Sequence, residues 1–161
     1  MRLLVLLTAV MLTACGFHLR GQAGMPFDTL YLNAANPGTP FIAELRRNLE
    51  ANKVRLVGSA DKADVVLNIV FEIPEKQILT LGGSGRVNEF QLRYRVSMHA
   101  YDLKQREWIP AEEMILRRDY IYDDTQILAK EAEEALLYQS MRSDMVQQIV
   151  RRLSRAKPQA Q

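Results

Sequence analysis

VNEFQLRYRVSMHAYD, residues 87–102, alternates without a break. Phe90, Leu92, Tyr94, Val96, Met98 and Ala100 fall on one side, and Glu89, Gln91, Arg93, Arg95, Ser97 and His99 on the other. Successive side chains of a strand point to opposite faces, so the pattern predicts a β-strand with one face on a core and one in water. Just upstream, Gly82-Gly83-Ser84-Gly85 reads as a hairpin turn back to an extended stretch, Gln77–Leu81. Before it, Val65–Ile73 predicts a strand with Val65, Leu67, Ile69, Phe71 and Ile73 on one face and Asn68 and Glu72 on the other. Pro74 between them predicts an edge position, a bulge or a bend. Downstream, Lys104–Glu107 turns the chain, and Pro110 opens a strand running to about Tyr122 through Met114, Leu116 and Tyr120.

The flanks supply the helices. Thr29–Leu32 is a short strand, and Asn36-Pro37-Gly38 is a turn. Thr39 suits an N-cap and Pro40 a first helical position. The helix to about Ala51 gathers Phe41, Ile42, Leu45 and Leu49 on one side. Strand, helix, strand predicts a right-handed crossover between parallel strands. A final helix spans about Thr125 to Arg155, with Asp123 and Gln126 at capping-box spacing. Its apolar stripe is Leu128, Ala132, Ala135, Val146, Ile149, Val150 and Leu153. Glu131, Glu133 and Glu134 near its start and Arg151, Arg152 and Arg155 near its end suit the helix dipole. The expected fold is α+β, a two-layer sandwich in the order β-α-β-β-β-α. A four-stranded mixed sheet carries two helices on one face, and its other face is polar and open to a ligand or partner.

The amino terminus reads differently. Met1-Arg2 is a positive start, and Leu3–Leu12 is an apolar run shorter than the ~20 residues that span a bilayer. With small residues following, residues 1–14 read as a signal peptide. Leu12-Thr13-Ala14-Cys15 resembles the bacterial lipobox. That resemblance implies cleavage before Cys15 and a covalent S-diacylglycerol and N-acyl lipid upon it. Two or more acyl chains make a stable anchor where one does not. The bland alternative is a soluble exported protein with a stray cysteine. Gly16, where inner-membrane lipoproteins often carry Asp, implies the outer membrane. Residues 15–26 then form the acylated cysteine and a glycine-bearing tether that includes His18 and Arg20. Residues 27–157 form a single domain and residues 158–161 a frayed tail.

Little catalytic chemistry is visible. Cys15 is the sole cysteine, so its acylation removes disulfides, thiol nucleophiles and thiolate metal sites. His18 and His99 are too few and too far apart for a usual metal set. The glycine loop lacks the Lys-Ser/Thr ending of a phosphate loop, and no Gly-x-Ser-x-Gly elbow exists. Glu112-Glu113 and Asp123-Asp124 are sequence neighbours, which as strand residues point apart. The chain is read as a non-enzyme without a cofactor beyond its lipid. Lysine and arginine number 21 against 19 acidic residues, a formal charge of +2, which does not suit a bulk nucleic-acid binder.

Cys15-Gly16-Phe17-His18-Leu19-Arg20-Gly21 resembles the mature start of the LptE (RlpB) family of lipopolysaccharide-assembly lipoproteins. The glycine-turn hairpin entering Glu89-Phe90-Gln91-Leu92 is similar too. So is the run from Tyr122-Asp123-Asp124 through Leu128-Ala129-Lys130-Glu131 and Met141 to Asp144-Met145 and Arg151-Arg152-Leu153. The resemblance implies an outer-membrane, Gram-negative lipoprotein that plugs the LptD β-barrel, helps it assemble, and binds lipopolysaccharide on its way to the outer leaflet. It also implies a location within the barrel lumen, facing the periplasm. Lipopolysaccharide is rich in phosphates and acidic sugars, which call for Arg or Lys. Arg86 and Lys130 lie in stretches matching the family's basic positions, and Arg93 and Arg95 lie on the wet strand face. Ordinary surface charge is the competing reading, with Lys130 paired to Glu134 one turn on. Two other functions stay open. One is an adaptor lipoprotein of a different envelope complex. The other is an anchored enzyme, which would need two convergent carboxylates in a pocket.

Overall fold

The computed structural model describes residues 24–159. Residues 1–14, Cys15 and most of the tether, with His18 and Arg20, lie outside the described residues, as do residues 160 and 161. The elements are β1 (Thr29–Ala34), α1 (Pro40–Ala51), β2 (Arg55–Leu56), β3 (Val65–Leu81), β4 (Val87–Tyr101), β5 (Glu107–Ile121) and α2 (Ile127–Arg155), with short 3-10 turns before β3 and α2. The sheet order is β2-β1-β3-β4-β5, parallel from β2 to β3 and antiparallel beyond. The fold is the expected α+β one, a mixed sheet with two helices. The sheet has five strands rather than four, because two residues after α1, Arg55 and Leu56, pair with Thr29 and Leu30. Two residues carry no periodicity to read.

Local chemistry explains the elements. Thr39 accepts the Ile42 amide at 3.2 Å and caps α1, with Pro40 in its first turn. Phe41, Ile42, Leu45 and Leu49 are buried, as the helical spacing predicts. They meet Leu30, Leu67, Leu92, Val96 and Met98 from the sheet and Met141, Met145, Ile149 and Leu153 from α2 in one core. The helices lie side by side, tied where Glu44 accepts from Arg142 Nε at 3.1 Å and Ser143 Oγ at 2.6 Å.

Three details depart from the sequence reading. Val70 is a bulge between the Ile69–Met98 and Phe71–Ser97 pairs. The extra residue reverses the alternation. Phe71 and Ile73 therefore fall on the open face, and Glu72 turns to the helices, where it accepts from Thr39 Oγ1 at 2.8 Å and from the Tyr94 hydroxyl. The open face is consequently not purely polar. Second, β3 continues through Pro74, which sits opposite Tyr94. β1 pairs only as far as Ile69, so β3 is an edge strand at Pro74, where proline is tolerated. Third, the stripe of α2 is buried only in its second half. Leu128 is 81% exposed, Ala132 and Ala135 are exposed, and burial begins at Met141. The first half lies over a mixed patch of sheet in which Phe90, Tyr120 and Tyr122 surround Lys76.

β4 alone runs 15 residues, about 50 Å of strand. It separates two ends of the domain. The near end holds Gly24–Asp28, the β4–β5 turn and the carboxy terminus of α2. The far end holds the β3–β4 turn and the start of α2.

Candidate functional site

The far end is built by the hairpin turn and the entry to α2. The Gly82 amide donates to the Arg86 carbonyl at 2.7 Å, and Gly85 takes φ +77°, a left-handed conformation that suits glycine. Arg86 leaves this turn with its side chain 73% exposed and reaches Asp124 at 3.3 Å. Asp123 accepts the Thr125 amide at 2.9 Å and its hydroxyl at 2.7 Å. These bonds hold its carboxyl below the usual range, and Lys130 nearby adds to the effect. Arg86 and Lys130 thus flank the same acidic pair at one end of the molecule. Lys130 pairs with Glu133 at 2.8 Å, not with Glu134, which faces the sheet.

Glu134 is committed to Lys76, an interaction invisible in the sequence. Lys76 Nζ lies 2.5 Å from Glu134 Oε2 and 4.2 Å from the Phe90 ring centroid, with Tyr120 and Tyr122 beyond. The Tyr120 hydroxyl donates to the same carboxylate oxygen at 2.7 Å, and Tyr138 donates to the Glu75 carbonyl at 2.7 Å. Burial opposes both charges, and the mutual hydrogen bonds outweigh it. Lys76 is held above its ordinary value and Glu134 below.

Arg93 and Arg95 lie elsewhere, in the middle of the open face, so the four sequence-predicted residues form two groups. Arg95 donates from Nε to Glu113 at 2.5 Å and from a terminal nitrogen to Glu75 at 2.7 Å. Its guanidinium sits 5.6 Å from the Phe71 ring centroid. The bonds to Glu113 and Glu75 raise its pKa, and the Arg95 bond lowers that of Glu113. Arg93 reaches Glu75 only at 3.7 Å, and its buried Nε has no partner. Arg117 stands directly opposite Arg93 on β5, exposed and without an ion pair among the described residues. Sequence reasoning missed Arg117; its alternation with Ile115 and Asp119 was the available signal.

The acidic neighbours are separated as expected. Glu112 faces the helices and binds Arg152 at 2.5 Å, while Glu113 faces outward to Arg95. Among the described residues no three His, Cys, Asp or Glu side chains are placed to hold a metal ion.

The sequence model of a family described as lipopolysaccharide-assembly, LptE, matches residues 27–153. The LPS-assembly lipoprotein LptE of Pectobacterium atrosepticum is 31% identical over 93% of this chain and 83% of its own. That of Yersinia pestis is 32% identical over 94% and 75%. Among solved structures, an uncharacterized lipoprotein B from Nitrosomonas europaea is 40% identical, with a TM-score of 0.75 over 86% of this chain and 90% of its own. The rare lipoprotein B of Shewanella oneidensis is 27% identical, with a TM-score of 0.69 over 76% and 91%. The chain belongs to the LptE family of lipopolysaccharide-assembly proteins, which are not enzymes.

Proposed function

We propose that the chain is an outer-membrane lipoprotein subunit of the lipopolysaccharide translocon, anchored by an acylated Cys15. It plugs the lumen of the LptD barrel, assists the barrel's assembly and binds lipopolysaccharide during insertion. The match across residues 27–153 carries this reading. The surface supports it. A lumen plug needs a charged exterior over a closed core, and the open face presents Arg93, Arg95, Arg117, Glu75 and Glu113. The far end also exposes Ile78, Leu81, Ile121, Leu128 and Leu136, apolar surface of the kind that marks an interaction site. Arg86 and Lys130 beside it are the first candidates for lipopolysaccharide phosphates, with Arg93 and Arg95 next.

Depletion of the chain in its host tests the proposal. Surface lipopolysaccharide and assembled LptD should fall together. Normal levels of both, with the chain absent, would refute it.

A further inference from the structure

The middle of the open face holds two arginines that the fold sets against each other. Residues of β3, β4 and β5 stand there in cross-strand rows. One row is Ile73, Arg95 and Ile115, the next Glu75, Arg93 and Arg117, and the next Gln77, Gln91 and Asp119. Like charges directly opposite each other destabilise a sheet, so Arg93 beside Arg117 calls for an acceptor between them. The neighbouring carboxylates are engaged elsewhere. Glu75 gives one oxygen to Arg95 at 2.7 Å and reaches Arg93 only at 3.7 Å. Glu113 is taken by Arg95, and Asp119 accepts from Gln91 Nε2 at 2.9 Å. Glu89, further toward the hairpin turn, accepts from the Thr80 hydroxyl. Arg93 is thus held by one long contact, with its Nε lacking an acceptor.

The surroundings select the acceptor. On this face Arg93, Arg95 and Arg117 stand among Glu75, Glu89, Glu113 and Asp119, so positive charge is not in excess. A polyanion gains little there, and a phosphate dianion meets repulsion from the carboxylates around it. What is unmatched is local: two planar guanidinium forks with too few acceptors. A single carboxylate matches such a fork with two parallel hydrogen bonds. The flanks suit a carboxylate whose carrier is a sugar. Gln77 and Gln91 offer amides that both donate and accept, as ring hydroxyls require. On the other side Ile73, 39% exposed, and the half-buried Ile115 offer apolar surface to the C–H face of a ring.

We infer that Arg93 and Arg117 form a binding site for the carboxylate of an acidic sugar in lipopolysaccharide. The inference rests on the lipopolysaccharide binding proposed above and names the part of the ligand that the open face takes. Arg95 serves the site by holding Glu75 to one side, and Arg117 joins Arg93 as the second binding arginine. Arg86 and Lys130 lie apart from it. Seven residues of extended chain separate Arg86 from Arg93, about 23 Å. The two arginine-bearing regions therefore meet different parts of the ligand, phosphates at the far end and an acidic sugar at mid-sheet.

Two probes test it, titrated against the full mature chain in mild detergent. One is lipopolysaccharide bearing its acidic sugars. The other is lipid A, which keeps the phosphates and acyl chains without those sugars. The parent should bind lipopolysaccharide more tightly. Arg117→Gln should lower that affinity about tenfold, the worth of one charge-assisted contact, and leave lipid A binding unchanged. Arg117→Lys should recover only part of the loss, because an ammonium keeps the charge and lacks the fork. Arg117 is exposed and faces a like charge, so neither variant should lower the unfolding midpoint. Arg86→Glu with Lys130→Glu should weaken both probes. Unchanged lipopolysaccharide affinity in Arg117→Gln would overturn the inference. So would an equal loss for lipid A, which assigns the pair to phosphate, or full recovery by lysine, which reduces it to bare charge. A parent that binds neither probe would refute lipopolysaccharide binding itself, and the inference with it.

Discussion

Replacing Lys76 with methionine should loosen half of one helix. Methionine keeps much of the apolar stem and removes the charge. The first half of α2 is held to the sheet chiefly by the Lys76–Glu134–Tyr120 cluster and the Tyr138 bond to the Glu75 carbonyl. The Lys76–Glu134 pair is partly exposed, at 35% and 21%, and such pairs contribute up to ~1 kcal/mol. The ammonium over Phe90 adds roughly 0.5–1 kcal/mol. Lys76→Met should therefore cost about 1–2 kcal/mol, a factor of roughly 5–30 in the local opening constant. Hydrogen exchange reads this directly. Amides of Ala129–Tyr138 should exchange faster by that factor, while those of Met145–Leu153, whose side chains fill the core, should hold. Adding Glu134→Gln should do much less than its single effect, because the two act as one unit. Unchanged exchange in the first half, or equal acceleration along the whole helix, would refute the latch.

Other outcomes follow from the same geometry. Glu134 is depressed in the folded state, so its contribution is present above the unfolded glutamate value and lost as pH falls through the lowered one. Exchange of the first half of α2 should rise in that acid window, and Glu134→Gln should remove the dependence. Tyr94→Phe leaves Glu72 with Thr39 as its remaining hydrogen-bond partner and should cost about 1–2 kcal/mol in urea unfolding, and Thr39→Ala, which removes the α1 cap as well as a Glu72 bond, should cost at least as much. Asp64 is held low first by the Thr29 hydroxyl and then by its amide. Asp64→Ala should cost about 1–3 kcal/mol by stranding the buried Thr29, and should flatten stability against pH at the acid end. Reversing Arg86 and Lys130 together to glutamate should weaken lipopolysaccharide binding and leave the chain folded, with only a modest loss of stability from the half-buried Lys130–Glu133 pair.

The sequence was most informative where one periodicity ran unbroken. β4 and α1 form as their alternation and helical spacing predict, and Thr39 caps as its position implies. The errors share a cause. In β3 the reading assumed an uninterrupted period, and a single bulged Val70 exchanged the faces of Phe71, Glu72 and Ile73. A bulge satisfies pairing geometry and leaves no compositional mark when the inserted residue is itself a good strand former. In α2 the apolar spacing of Leu128, Ala132 and Ala135 said that a stripe exists, not that a core lies beneath it. β5 begins at Glu107, ahead of Pro110, because a register shift beyond the Met98–Glu112 pair absorbs the proline. For the site, residue type singled out four basic side chains. Only the fold could divide them into a far-end pair, Arg86 exposed and Lys130 half-buried against Glu133, and a pair on the sheet tied to Glu75 and Glu113. Lys76 was unreadable because its importance comes from helix–sheet neighbours far away in sequence, whereas the alternation around Arg117 placed it on the open face and only its position opposite Arg93 needed the fold.

The central claim is a physical partnership at the outer membrane. The full precursor, carrying a carboxy-terminal tag in its own host, is extracted from that membrane in mild detergent, and whatever stays bound is identified. The expected result is LptD in about equal amount, bound to a chain acylated at Cys15. A chain recovered free, or with a different envelope barrel and no LptD, would contradict it.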